Sequence, residues 1–325
     1  MPGFELIGDL ERKEVNDVLD NGVFMRYGFD GMRNGHWKAK ELEAEIGKQL
    51  QSKHVQLVSN GTAAVTVALA AAGVGAGDEV IMPTFTFVAS FESIMLLGAI
   101  PILVDIDDTL GLDPKAVEAA ITPKTKAVMV VQMCGSMARM GELQSICEKH
   151  RVLLIEDACQ AIGATFKGKP LGSIGDLGCF SFDFVKTITS AEGGAVITNN
   201  KEYYINADHY TDPGHDHEGN DRGAETHPFL GYNFRISELH AAVGLAQARR
   251  LPEFLDIQKR NFGIIRDALS QIPEVTFRSV PEGGEENYSF ISFFLPNLEI
   301  ANKVSGAFKE AGVDACFNYY NNNCH

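Results

Sequence analysis

From residue 54 onward, short apolar runs alternate with stretches of helical spacing, and no other feature of the chain constrains its fold as strongly. Residues 55–58 form a strand candidate that runs into Ser59-Asn60-Gly61-Thr62 and then an alanine-rich helix reaching about Ala72. Further short runs occupy 79–82, 100–105, 127–132 and 152–156. Continuous apolar runs of this length suit strands covered on both faces. Helical intervals at Pro114–Ala120 and Met140–His150 separate several of them. The pattern predicts an α/β fold with a mostly parallel sheet.

Two more strands are expected at 178–183 and 194–198, joined by a glycine-containing loop. The polar stretch 211–226, rich in Asp, Gly and His, is too long and irregular for a hairpin and reads as a functional or partner-contacting loop. A helix follows near Ile236, with Ser237 as its cap. Pro252 interrupts that pattern soon after Arg250, and the domain change is placed there: a large domain over 1–250 and a smaller α/β C-terminal domain over 251–325. The smaller one is expected to hold a helix to about Leu269, strands near Val275 and over 290–295, a helix near 301–311, and a last strand from Asp314. Residues 315–325 then read as a strand entering an Asn-rich turn, so this domain is expected to be incomplete as the sequence stands.

Composition removes several function classes. A net charge of −15, with no local basic block, repels nucleic acid and acidic membranes. The N-terminus lacks an apolar core flanked by basic residues, and apolar stretches break well before membrane-spanning length. A cytoplasmic protein is the expectation. The six cysteines, Cys134, Cys147, Cys159, Cys179, Cys316 and Cys324, form no Cys-x-x-Cys pair, so free thiols are expected rather than a metal site.

Four short motifs carry candidate chemistry. The Gly61 turn between strand and helix exposes helix N–H groups, a ready anion site to which Thr62 adds a hydroxyl; capping alone would use the same residues. Asp157, in Glu156-Asp157-Ala158-Cys159-Gln160, sits beyond the carboxyl end of a strand, where it caps a helix or holds a cationic ring nitrogen. Lys186 follows Ser181 by five residues, just past an apolar strand. It is either an amine nucleophile or a solvated loop lysine. Asn233 and Arg235, in Gly231-Tyr232-Asn233-Phe234-Arg235, can cap a helix or reach an acid group. Together and in this order they supply what pyridoxal phosphate (PLP) needs: a phosphate cradle, a pyridinium partner, a Schiff-base lysine and charge partners.

With these motifs the sequence resembles the DegT/DnrJ/StrS family of PLP-dependent sugar aminotransferases, which have the aspartate-aminotransferase (type I) fold. The resemblance runs from about residue 30 to the end. It implies that Asp157 pairs with the pyridine nitrogen, Gln160 with the ring oxygen, and Lys186 with the cofactor aldehyde. By the same match Thr62, Ala63 and Ser181 bind the phosphate beside Gly61, Phe87 stacks on the ring, and Asn233 reaches the phosphate of the neighbouring subunit of a homodimer.

Three further segments, 26–34, 132–137 and 214–223, look like the branch making 8-amino-3,8-dideoxy-manno-octulosonate, the amino form of the lipopolysaccharide sugar Kdo. That resemblance implies glutamate as amino donor and an 8-oxo sugar acid as the keto sugar. Arg26, Arg33, Arg222, Arg235, His215 and His217 are the candidates for its carboxylate. Three rivals stand beside it. One is an aminotransferase for a nucleotide-linked keto sugar. Another is a dehydratase on the same scaffold; relatives of that kind replace the lysine with histidine, which Lys186 argues against, or add an iron–sulfur cluster, which the cysteine spacing argues against. The third is a PLP-binding regulator without turnover. A metal site from His215 and His217 lacks an evident third ligand.

Overall fold

A computed structural model describes residues 3–218 and 223–313. The central layer is a seven-stranded sheet built from β1 (His54–Val58), β2 (Glu79–Pro83), β3 (Ile100–Val104), β4 (Thr125–Val131), β5 (Leu153–Asp157), β8 (Leu177–Ser181) and β9 (Gly194–Thr198). Two short strands, β6 (Thr165–Phe166) and β7 (Lys169–Pro170), precede β8 outside this sheet. The spatial order is β1-β9-β8-β5-β4-β2-β3. Only β9 runs against the rest, pairing antiparallel with both β1 and β8. The six parallel strands deliver their carboxyl ends to one edge, where Pro83, Val131, Asp157 and Ser181 end four of them.

Helices α1 (Asp9–Asn21), α2 (Lys38–Gln49), α3 (Gly61–Ala71), α4 (Val88–Leu96), α5 (Pro114–Ala120), α6 (Met140–His150), α7 (Lys201–Thr211) and α8 (Glu238–Arg249) cover the two faces. α3 is buried on every side from Ala63 to Ala71. Its small side chains let it lie between the sheet and both α4 and α7. Ser237 caps α8 as expected, its Oγ accepting the His240 N–H at 3.2 Å.

The strand and helix bounds match the expectation closely wherever the pattern was local. The cover of β3 differs. It was expected to be covered on both faces, but it is one of the two edge strands, and Ile100 and Leu103 are 44% and 51% exposed. An edge strand has a neighbour on one side only. The helical run breaks where Pro252 was expected to interrupt it: α8 ends at Arg249, and α9 (Leu251–Leu269) begins with Pro252 in its first turn, where a missing N–H costs nothing. Leu251, Phe254, Gln258 and Phe262 are the buried face of α9, and the first two join the main core.

Beyond α9 come β10 (Thr276–Phe277), β11 (Gly284–Glu285), β12 (Phe293–Phe294) and α10 (Leu298–Glu310). β10 pairs with β12, while β11 pairs with β6 and so ties this region to the large layer. The strand expected from Asp314, with Cys316 and Cys324, lies outside the described residues. Among the described residues no helix is long and apolar enough to cross a membrane.

Candidate active site

A pocket opens at the carboxyl edge of the parallel strands. Gly61, Thr62, Phe87, Asp157, Gln160, Ser181 and Lys186 all line it. They come from four different turns, because each strand end in such a sheet turns into a helix or loop at the same edge.

The anion end is built by the turn into α3. Asn60 is extended, and its Oδ1 accepts the Ala63 N–H at 2.8 Å. This cap fixes the helix start and leaves Gly61 facing β8. A Cβ on Gly61 would lie 2.6 Å from Ser181 Cβ and 2.9 Å from its Oγ, so only glycine permits the close approach. Thr62 and Ser181 supply hydroxyls to the same wall. Ala63 is not among the lining residues. Its amide is taken by Asn60, and its side chain is buried in the core.

The two neighbours at the end of β5 do opposite things, as the pleat requires. Glu156 is wholly buried. It accepts the N–H groups of Gly172, Ile174 and Gly175, each at 2.8 Å, and Gln132 Nε2 at 3.0 Å. Burial raises its pKa against those bonds. Asp157 faces the pocket, with Oδ2 accepting from Ser90 Oγ at 2.7 Å and Oδ1 from the Cys159 N–H at 3.2 Å. The Cys159 thiol, also in the pocket wall, is pushed well up by burial and then by the Asp157 charge.

Gln160 accepts the Cys134 N–H on its Oε1 at 2.9 Å, which turns the donor end of its amide away from Cys134. Cys134 itself is left-handed, at φ 55°, and Gly135 follows at φ 70°. Asn287, from the loop after β11, locks this turn. It donates to the Gln160 and Ile162 carbonyls at 3.0 and 3.1 Å, and its backbone N–H donates to the Gly135 carbonyl at 2.9 Å.

Lys186 lines the pocket from the loop that follows β8. Its loop is tied at 3.0 Å from its own N–H to the Asp183 carbonyl, and its carbonyl accepts the Gly3 N–H at 2.9 Å. Phe4 stacks on Phe184 at 4.3 Å, so the N-terminal segment braces the lysine loop. Phe87, half exposed at the mouth, begins α4. The set suits PLP in its chemistry. It brings together a close glycine–serine approach with two hydroxyls, a carboxylate, an amine and a half-exposed aromatic side chain.

The carboxylate-binding candidates are placed elsewhere. Arg26 is buried and ion-paired with Glu43. Arg33 is buried against Glu238 at 3.4 Å and donates to the Gly28 carbonyl at 2.8 Å. His215 Nδ1 bonds Glu225 at 2.7 Å, and Arg235 pairs with Asp212. His217 is gripped by Asp208 at 2.7 Å and Asp212 at 2.9 Å. None of these side chains, nor exposed Asn233, lines the pocket, and Arg222 lies outside the described residues. Sequence reasoning missed Ser90, although its place three residues after Phe87 puts it one helical turn on.

The DegT/DnrJ/EryC1/StrS aminotransferase family matches residues 6–325. The chain belongs to this family. A GDP-perosamine synthase from Caulobacter vibrioides is 40% identical over 71% of the chain, and the match spans only 62% of that synthase. The crystal structure of 3-amino-5-hydroxybenzoic acid synthase superposes with a TM-score of 0.87 at 33% identity, covering 98% of this chain and 82% of that one. An E. coli GDP-4-keto-6-deoxy-D-mannose-3-dehydratase, solved with bound hydrated PLP, gives 0.84 at 26% identity, covering 94% and 82%. PLP is the cofactor of this family, and Lys186, Asp157 and Gln160 line one pocket here.

Proposed function

We propose that the protein transfers the amino group of glutamate to a keto sugar. The convergence of Lys186 and Asp157 on the pocket bounded by Gly61 and Ser181 carries this reading. Bound PLP supplies an electron sink for the carbon from which the proton leaves. The start of α3, with Thr62 and Ser181, would hold the phosphate. Asp157 would keep the ring nitrogen protonated, and the Gln160 amide would donate to the ring oxygen. Lys186 would hold the cofactor and, once displaced, carry a proton to and from the substrate α-carbon, general acid–base work worth roughly 10²–10⁴-fold. The Lys at 186 favours transfer over dehydration.

The acceptor proposed is the 8-oxo form of Kdo, giving 8-amino-3,8-dideoxy-manno-octulosonate for lipopolysaccharide. Segments 26–34, 132–137 and 214–223 support it. A nucleotide-linked keto-deoxysugar is the second reading, favoured by the names of the GDP-sugar relatives. The working form proposed is a cytoplasmic homodimer, with a second copy covering Phe184 and Val185, each at least 50% exposed beside the site. The test is 2-oxoglutarate release from glutamate in the presence of PLP and either the 8-oxo acid or GDP-4-keto-6-deoxymannose. Release with the GDP-sugar alone would replace the proposed acceptor. Release with neither, and no half-reaction with glutamate, would end the transaminase reading.

A further inference from the structure

Asp157 and Ser90 stand 67 residues apart in sequence and meet at 2.7 Å in a fully buried contact. Ser90 Oγ in turn lies 2.8 Å from Thr86 Oγ1. A hydroxyl has one proton, and an ionised carboxylate only accepts. The Ser90 proton therefore goes to Asp157 Oδ2, and the Ser90 oxygen is left to accept from Thr86. The Thr86 proton is shared with the Phe87 carbonyl at 3.2 Å. Donors thus point inward along the row from Thr86 through Ser90 to Asp157. Such a row fixes the rotamer of the carboxylate.

We infer that Ser90 is a positioning residue for amine transfer, holding the Asp157 carboxylate oriented through a relay that begins at Thr86. The inference rests on the reading that Asp157 serves the ring nitrogen of PLP. Three observations carry it beyond packing. The Ser90 hydroxyl leaves its own helix and bonds across to β5, so it is no cap of α4. It also joins the helix that carries Phe87 to the strand that carries Asp157, so the two groups proposed for the ring are coupled through one hydrogen bond. Finally, the thiols of Cys159 and Cys179 are pushed well up by burial first and the Asp157 charge second, so neither competes as a counter-charge.

The test compares the unmodified protein with Ser90→Ala and Thr86→Val. Three readouts are taken: the PLP dissociation constant by equilibrium dialysis, the single-turnover half-reaction with glutamate, and thermal unfolding without PLP. Ser90→Ala should slow the half-reaction roughly tenfold to hundredfold, the scale of removing a hydrogen bond that orients a functional group. The glutamate concentration for half-maximal rate should move less than about threefold. PLP should bind more weakly, and Thr86→Val should shift both constants the same way by less. Thr86 is partly exposed, so its variant keeps the test alive if Ser90→Ala unfolds. A Ser90→Ala protein with unchanged rate and PLP affinity overturns the inference. So does an unfolded Ser90→Ala beside a Thr86→Val indistinguishable from the unmodified protein. Failure of the unmodified protein to bind PLP sinks the transaminase reading and this one together, which is a different result.

Discussion

Gly61 and Ser181 approach so closely that a Cβ on Gly61 would sit 2.6 Å from Ser181 Cβ. The first residue of α3 and the last of β8 are thereby held as two walls of one cradle. Gly61→Ala must force them apart. Overpacking of this kind costs about 1–3 kcal/mol, and strain carried into the bound state weakens binding roughly tenfold or more. Equilibrium dialysis against PLP should show that loss. Unchanged affinity would place the phosphate elsewhere.

Lys186→Ala should leave the cradle intact and remove the amine. Borohydride treatment of the PLP-loaded protein, followed by peptide mass analysis, should find the label on Lys186. The variant should carry none and should lose turnover by at least roughly 10²-fold. A label on any other lysine would reassign the nucleophile.

Asn287 is fully buried and holds the turn that pins Gln160. Truncation to Ala strands the Gln160 and Ile162 carbonyls, while the backbone N–H of residue 287 still reaches the Gly135 carbonyl. The expected loss is roughly 2–5 kcal/mol of stability, from two buried groups left unpaired. Urea unfolding measures it. A change under about 0.5 kcal/mol, the surface-substitution range, would show that the turn holds itself.

His217 is left-handed at φ 55°, stacked on Tyr27 at 4.0 Å and bonded on both ring nitrogens. Burial opposes its charge, but Asp208 and Asp212 outweigh burial and push its pKa up to about 9. A raised folded pKa gives stability that is complete below the unfolded value and is lost as pH rises through the folded one. His217→Gln should therefore cost up to about 3 kcal/mol at pH near 6 and almost nothing near pH 10. Unfolding curves at both pH values decide it. An equal gap at both would mean that packing on Tyr27, and not charge, holds the loop.

The local pattern of the chain was enough to place most of the sheet. Met140–His150 and Pro114–Ala120 are bounded as expected, and β9 occupies the expected residues. Short apolar runs, caps and turn glycines act within a few residues of themselves, so they survive without tertiary context. α1 and α2 escaped notice because their buried faces include Glu11, Glu14 and Lys38, charges that blur an apolar period. Those charges are partnered there: Lys38 meets Glu14 and Asp17, Arg249 meets Glu14, and Glu11 accepts from Gln247 of α8 at 2.8 Å and pairs with Arg250.

The site divides the same way. Gly61, Asp157, Gln160, Ser181 and Lys186 were legible because each sits at a strand end, and in a parallel sheet all such ends share an edge. What those side chains touch was not legible. Ser90 on Asp157, Asn287 behind Gln160, and the arginines turned inward to Glu43, Glu238 and Asp212 join residues far apart in the chain. The sequence determined which groups arrive at the edge of the sheet. Only the tertiary structure decided which face the pocket and which are spent on one another, because a charge brought out of water goes to whatever partner the fold places beside it.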